Sequence, residues 1–176
     1  MKKLKAKVYI DGANMFYTQR LIGYFIDWKK TKKFLNNKFE VLELRYYTGI
    51  KENDEKMKKY LSFLRDIQIK TITKPLKIIK NKENQIIHKS NCDVEMVVDI
   101  MTDLNNFDLL VLFSGDSDFA YLVKILNKQY QKQVYVFSSR KTISWEIKLA
   151  ANKYWFIEDT KEILKKPPPK RGTVKQ

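Results

Sequence analysis

Residues 108–118 have the sequence DLLVLFSGDSD, an apolar run that ends abruptly in small and acidic side chains. A nearly continuous apolar run of this length is typical of a central parallel strand that is covered on both faces. Ser114 to Asp118 then form a turn, and the helix after it has apolar side chains at Leu122, Val123 and Leu126. The stretch therefore predicts a strand, a turn and a helix of an α/β fold.

The flanking sequence repeats this alternation of strand and helix. Strands are predicted at Lys7–Ile10, Val41–Tyr47, Ile67–Thr73, Gln133–Phe137 and Tyr154–Ile157. Helices are predicted from about Asn14, at Lys29–Leu35, after the caps Asn53 and Asp54, from Asp93, and at Ile143–Ala150. Leu76–Lys80 and Gln85–Lys89 predict a basic hairpin. Together these elements indicate a doubly wound, mainly parallel sheet flanked by helices in three α/β/α layers.

The composition indicates one domain and a polyanionic partner. The chain has 176 residues, and we expect a single domain over residues 1–164 and a flexible, basic, proline-rich tail over residues 165–176. One cysteine and the lack of a signal peptide favour a cytoplasmic location, and no segment predicts membrane association. The formal net charge of +15 favours nucleic acid, although a lysine-rich solvated surface explains it equally well.

Four aspartates fall at strand ends or helix starts. Asp11 ends the first strand, Asp116 and Asp118 follow the apolar run, and Asp93 opens a helix on the side of its apolar stripe. Asp93, Asp116 and Asp118 could simply cap helices and Asp11 could be an ordinary turn residue, but the carboxyl ends of parallel strands meet at one edge of a sheet. Clustered carboxylates repel one another unless a cation neutralises them, and their hard oxygens suit Mg²⁺ or Mn²⁺. We therefore predict a site that holds one or two of these ions, which phosphodiester hydrolysis uses to activate water and to stabilise the leaving oxygen.

The sequence argues against several other kinds of catalytic or cofactor-binding site. His88 is the only histidine and Cys92 the only cysteine, so neither a histidine-based triad nor a structural zinc site is expected. No phosphate-binding loop or glycine-rich dinucleotide fingerprint is present, and no organic cofactor is predicted. Haloacid-dehalogenase phosphatases need an acid two residues after the first aspartate, where this chain has Ala13.

Three sequence blocks resemble the signatures of NYN domains, a branch of the PIN-like nucleases, and the LabA-like bacterial group in particular. The blocks are Val8–Asn14, Lys89–Asp99 and Ser114–Phe119, and the resemblance spans roughly residues 6–158. It implies a Rossmann-like, PIN-like fold and metal-dependent endoribonuclease activity. Two positions depart from the family pattern: Ser90 stands where glycine is common, and Asn152 where many relatives carry aspartate.

The resemblance also implies roles for individual residues. Asp11, Asp93, Asp116 and Asp118 match the acidic metal positions, which makes them the predicted catalytic and metal-binding set. Asn14, Ser114 and Asp99 match supporting positions, although Asp99 shares a helix face with Glu95 and Asp103 that we expect to be solvated. The residues predicted to hold the RNA backbone are Lys89, Lys74, Lys77, Lys80 and Lys82.

The leading hypothesis is a metal-dependent ribonuclease that acts on single-stranded RNA, and the family also implies a homodimer. The alternative is an RNA-binding or regulatory module that keeps the PIN-like fold without turnover. Tight, salt-sensitive binding without cleavage would distinguish that module. A phosphatase of small phosphoesters is a third hypothesis, which a generic phosphoester assay separates from the first.

Overall fold

A six-stranded, entirely parallel sheet organises the chain, which the computed structural model describes at residues 3–80, 86–89 and 91–165. The strands are β1 Lys5–Asp11, β2 Phe25–Ile26, β3 Glu40–Ile50, β4 Lys70–Pro75, β5 Lys77–Lys80, β6 Ile86–Lys89, β7 Leu109–Phe113, β8 Gln133–Ser138, β9 Lys153–Phe156 and β10 Leu164–Lys165. The helices are α1 Gly12–Ile22, α2 Trp28–Lys38, α3 Glu55–Asp66, α4 Asp93–Thr102, α5 Ala120–Lys128 and α6 Trp145–Ala150. The predicted strands and helices are present, with ends shifted by a few residues.

The sheet has the strand order β4-β3-β1-β7-β8-β9, with β1 and β7 at its centre. All five pairings in it are parallel, and Ile10 of β1 lies opposite Phe113 of β7. The chain winds outward from β1 to β4 on one side and from β7 to β9 on the other. The two windings diverge between β1 and β7, which is the point where open α/β sheets bind their ligands.

Two apolar cores cover the two faces of this sheet. Helices α1, α2 and α3 bury one face, where the Phe113 ring contacts the rings of both Trp28 and Phe137. Helices α4, α5 and α6 bury the other face around Met96, Ile100 and other apolar side chains. The strands between the cores are apolar on both faces because both are covered. The predicted doubly wound, three-layer α/β architecture is therefore confirmed.

Two smaller strand pairs accompany the main sheet. β5 and β6 form the predicted antiparallel hairpin, with Lys77 opposite Lys89. β2 and β10, which the sequence does not predict, pair Ile26 with Leu164 and Phe25 with Lys165. Residues 166–176 lie outside the described residues, so the predicted tail and the domain boundary stay predictions. Across the part of the chain that the structure describes, no helix has the length and hydrophobicity that crossing a bilayer requires.

Candidate functional site

The neighbouring ends of β1 and β7 bring the first acidic residue against the loop that follows the apolar run. Ser114 Oγ donates a hydrogen bond to Asp11 Oδ2 at 3.1 Å, across 103 positions of sequence. Asp11 is also the N-cap of α1, because its Oδ1 accepts from the Asn14 backbone N–H at 3.0 Å. The Asp11 carboxylate is thus oriented from both sides.

The loop Ser114–Asp118 is fixed by a chain of hydrogen bonds. The Asn14 side-chain oxygen accepts from the Gly115 N–H at 3.1 Å, and Ser114 Oγ accepts from the Asp116 N–H at 3.2 Å. Asp116 Oδ1 then accepts from the Asp118 N–H at 3.0 Å. Short polar side chains favour such local bonds to the backbone. The loop therefore presents the Asp116 and Asp118 carboxylates in a defined arrangement.

Gly115 allows this loop to pass close to the segment after β8. A Cβ atom there would lie 2.5 Å from Ser138 Oγ and 2.8 Å from the Ile143 Cα. The Gly115 carbonyl also accepts from the Ser144 N–H at 2.8 Å, so the loop cannot retreat without losing that bond.

We expect Gly115→Ala to destabilise the protein by about 1–3 kcal/mol, because the added methyl group overlaps backbone atoms that cannot move freely. Urea unfolding followed by circular dichroism measures this loss. Gly23→Asn is the control, since Gly23 has a φ of 73°, which asparagine tolerates, and open space around it. Equal urea midpoints for Gly115→Ala and the wild type would contradict the expectation.

Asp93, Asp116 and Asp118 form a carboxylate cluster in which one oxygen of each lies within 4.8 Å of the others. Asp93 leans inward as its helical position predicts, and its Oδ2 is buried without a hydrogen bond from the described residues. Burial, followed by the charges of Asp116 and Asp118, raises the pKa of Asp93. Three carboxylates this close, one with an unsatisfied oxygen, are the donor set that a hard divalent cation requires.

Asp11 lies beside this cluster but is not one of its three members. Burial raises the pKa of Asp11 to about 6, against the hydrogen bond from the Asn14 N–H, and the charge of Asp93 raises it further. Each Asp11 oxygen already accepts one hydrogen bond and retains a second lone pair. The structure therefore brings together three of the four predicted acids at ligand distance and places the fourth next to them.

The cluster opens into a cavity of about 260 Å³ between α1, the end of β3 and the start of α4. Its lining residues are Asp11, Ala13, Asn14, Tyr17, Tyr47, Thr48, Gly49, Asn91, Cys92, Asp93 and Asp116. Sequence reasoning missed Tyr17 and Asn91 as site residues. Tyr17 is three positions after Asn14 on α1, so helical spacing was the available signal. Asn91 Oδ1 accepts from the Asp93 N–H at 2.8 Å, and the close sequence spacing was its signal.

Asp99 lies behind the cavity rather than in its lining. Its Oδ2 accepts from the Tyr47 hydroxyl at 2.7 Å and lies 3.4 Å from the Arg45 guanidinium. Burial and the hydrogen bond to Asp99 raise the pKa of Tyr47, which keeps it a phenol that can donate. Asp99 therefore holds Tyr47 in place at the cavity wall.

The acidic face at α4, formed by Glu95, Asp99 and the C-cap residue Asp103, is solvated only in part. The Asp103 side chain is only 15% exposed, and it accepts from Lys7 Nζ at 2.8 Å and from the Arg45 guanidinium at 2.7 Å. Those two cations extend from β1 and β3 toward the helix. The expectation was wrong for Asp103, because basic side chains of the sheet cover it, whereas the Asp99 and Glu95 side chains remain 37% and 39% exposed.

The predicted RNA-binding lysines are only partly described. Lys74 Nζ pairs with Glu95 at 2.6 Å and donates to the Asn91 carbonyl at 3.3 Å, so it fastens the loop before Asp93. The side chains of Lys77, Lys80 and Lys89, and the whole of Lys82, lie outside the described residues. Their contact with RNA stays a prediction.

Comparisons with known proteins agree with this fold and site. Residues 5–158 match the NYN domain. The "Low amplitude and bright protein LabA" of Synechococcus elongatus is 29% identical over 163 residues, which cover 90% of this chain and 87% of that protein. The crystal structure of a protein of unknown function from Vibrio parahaemolyticus has a TM-score of 0.79 at 25% identity and covers 93% of this chain and 97% of its own. Neither protein's name states a reaction.

Proposed function

The chain belongs to the NYN domain family of PIN-like nucleases, and from this membership and its acidic site we propose that it is a metal-dependent ribonuclease. The observation that carries the proposal is the cluster of Asp93, Asp116 and Asp118 at the centre of the sheet, with Asp93 Oδ2 unsatisfied. Burying a carboxylate oxygen without a partner costs free energy unless a ligand binds it. We therefore infer that a cation binds to this cluster and neutralises its charge.

The donor set fits Mg²⁺ or Mn²⁺, because every donor in the cluster is a carboxylate oxygen. Asp93, Asp116 and Asp118 would hold the ion, and the nearby Asp11 carboxylate would add a further negative charge that attracts it. A bound ion of this kind supplies the positive charge that activates a water molecule and stabilises the leaving oxygen of a phosphodiester. With no histidine in the described site, the carboxylates remain the groups that accept protons there.

Asn14 has a further role that follows from its hydrogen bond. Because its side-chain oxygen accepts from the Gly115 N–H, its amide nitrogen is left to donate, and among the described residues it has no acceptor. Asn14 lines the cavity, so this N–H is available to an oxygen of the scissile phosphate. Ser114 would act indirectly, because its hydroxyl orients Asp11 and accepts a hydrogen bond from the Asp116 N–H.

RNA as the substrate rests on the family and on the charge of the chain. A net charge of +15 attracts a polyanion, even though the site itself is acidic. The finer assignments, namely an endonucleolytic cut, single-stranded substrate, a homodimer and a cytoplasmic location, are part of this proposal.

Purified protein is expected to cut an end-labelled single-stranded RNA with Mg²⁺ or Mn²⁺. EDTA is expected to abolish the cleavage, because the anionic carboxylates alone cannot stabilise the negative charge that develops on the phosphoryl and leaving oxygens. Gel analysis of the labelled products measures the activity. A generic aryl phosphate in the same buffers separates phosphatase action from nuclease action.

Three outcomes of this experiment are distinct. Metal-dependent products support the proposal. Tight, salt-sensitive RNA binding without products would instead favour the non-catalytic module. Hydrolysis of the aryl phosphate alone would favour a phosphatase.

A further inference from the structure

The outer face of α1 carries aromatic side chains that the fold leaves uncovered. Phe16 is 52% exposed and Tyr17 is 63% exposed, whereas Met15 and Thr18 on the opposite face are fully buried. Contiguous exposed apolar surface marks an interaction site more often than single exposed side chains do. We call Phe16, Tyr17 and Arg20 the α1 aromatic face.

This face is continuous with the acidic site. Tyr17 lines the same cavity as Asp11, Asn14, Asp93 and Asp116. It lies about one helical turn beyond Asn14, whose amide nitrogen is available to phosphate, so the ring stands on the same side of the helix. A nucleotide with its phosphate at the cluster therefore has its base within reach of Tyr17.

The geometry of the face suits a planar, anionic ligand. The Phe16 and Tyr17 ring centroids are 5.8 Å apart and the rings are inclined by 73°, so Phe16 does not stack flat against Tyr17. The Arg20 guanidinium lies 5.7 Å from the Phe16 ring centroid and adds a positive charge to the aromatic surface. An exposed ring flanked by a second ring and a guanidinium is the usual platform for a nucleobase.

The cavity is small and the bases that could reach it must be unstacked. Its volume of about 260 Å³ is just below the usual range for ligand sites, so it holds at most a unit of about one nucleotide. Bases in a duplex are also stacked on one another, so their faces cannot reach Tyr17, whereas those of a single strand can be splayed out.

We propose that Tyr17, supported by Phe16 and Arg20, stacks a base next to the scissile phosphate and thereby makes the acidic site select single-stranded RNA. The substrate in this inference rests on the proposed ribonuclease function. The stacking contact itself is a binding event and can be measured without turnover.

The test uses a short single-stranded RNA that contains 2-aminopurine, whose fluorescence falls when the base stacks on an aromatic ring. Binding is measured with Ca²⁺ in place of Mg²⁺ or Mn²⁺, so that a cation neutralises the carboxylates, and a gel confirms that the RNA stays intact. A duplex of the same length is measured in parallel. The variants are Tyr17→Leu, which removes the ring, and Tyr17→Phe, which keeps it. Tyr121→Leu is the matched control, because Tyr121 is 74% exposed on α5 and does not line the cavity.

The wild type, Tyr17→Phe and Tyr121→Leu are expected to bind the single strand alike and to quench the probe. Tyr17→Leu is expected to bind it about tenfold more weakly and without quenching, with no change for the duplex. Unchanged single-strand affinity in Tyr17→Leu, or an equal loss for both RNAs, would overturn the inference. So would a change in sedimentation from dimer to monomer in Tyr17→Leu, since the face would then bind a second copy.

The same experiment separates this inference from the function on which it rests. Tyr17-dependent quenching in a protein that never cuts RNA would leave the stacking platform standing and refute the nuclease. Metal-dependent cleavage with no effect of Tyr17→Leu on single-strand binding would support the nuclease and refute the stacking platform.

Discussion

Asp116→Asn is expected to lower metal-dependent RNA cleavage by roughly a thousandfold. Stabilisation by a bound metal ion amounts to several kcal/mol, and each tenfold in rate corresponds to about 1.4 kcal/mol. The substitution keeps the shape of the loop, because an asparagine Oδ1 can still accept the bond that Asp116 Oδ1 now accepts from the Asp118 N–H at 3.0 Å. It removes one of the three charges that would hold the ion. Initial cleavage rates at saturating Mn²⁺ measure the effect.

A second readout distinguishes a lost ligand from a damaged fold. Without metal, Asp116→Asn should melt no earlier than the wild type, because it relieves repulsion with Asp93 and Asp118. Added Mn²⁺ should raise the melting temperature of the wild type but not that of the variant. Asp66→Asn, which removes an exposed carboxylate at the end of α3, is the control and should behave as the wild type. An Asp116→Asn cleavage rate equal to that of the wild type would contradict the metal-site assignment.

Asp103→Ala is expected to destabilise the protein by about 3–5 kcal/mol, although Asp103 does not line the acidic cavity. Asp103 accepts from Lys7, Arg45 and the Tyr9 hydroxyl, and the Lys7 and Arg45 side chains are each only 11% exposed. Removing their shared acceptor leaves buried donors and positive charge poorly compensated. Glu43 remains, 2.7 Å from the Arg45 guanidinium and 3.6 Å from Lys7 Nζ, which favours the lower end of the range. Urea unfolding at neutral pH measures the loss.

The contribution of Asp103 should depend on pH in one direction. Burial raises the pKa of Asp103, but hydrogen bonds from Lys7 and Tyr9 and the charge of Arg45 outweigh it and lower the pKa overall. A lowered folded-state pKa gives stability that is present above the unfolded value of about 3.9 and is lost as the pH falls through the folded value. The difference between wild type and Asp103→Ala should therefore narrow below about pH 4.

A surface pair serves as the control for this prediction. Asp159 pairs with the Arg140 guanidinium at 2.6 Å, but both side chains are more than half exposed. Water and salt screen such a pair, so Asp159→Ala should cost far less than Asp103→Ala. Equal losses in the two variants would show that the Asp103 network contributes no more than an ordinary surface contact.

The main sheet is predictable from the sequence because its central strands are buried on both faces. An uninterrupted apolar run such as Leu109–Phe113 leaves a signal that no surface element imitates. The pairing of β2 with β10 leaves none, since two residues on each side carry no periodicity and the partners lie far apart in sequence. Only the assembled fold brings them together.

The acidic site is predictable only in its outline. Strand ends and helical spacing are enough to place Asp93 and Asp116 on one rim, but they do not show which oxygens remain unsatisfied. The expectation that Asp103 lies on a solvated face was wrong for a related reason. A helical pattern shows which residues share a face, whereas the cations that meet this face, Lys7 and Arg45, extend from two separate strands. Helical spacing places Tyr17 beside Asn14, but only the folded chain shows that its ring lines a cavity between α1, the end of β3 and the start of α4.

The long sequence separation between the two halves of the site has a consequence for synthesis on the ribosome. The hydrogen bond from Ser114 to Asp11 spans 103 positions, and the edge of β1 stays open until β7 emerges. At a typical translation speed, the interval between these two strands is roughly five to twenty seconds. During that time the nascent chain has Asp11 but neither Asp116 nor Asp118, so the carboxylate cluster cannot yet form. The order of the strands thus delays assembly of the candidate metal site until β7 and the loop after it have been made.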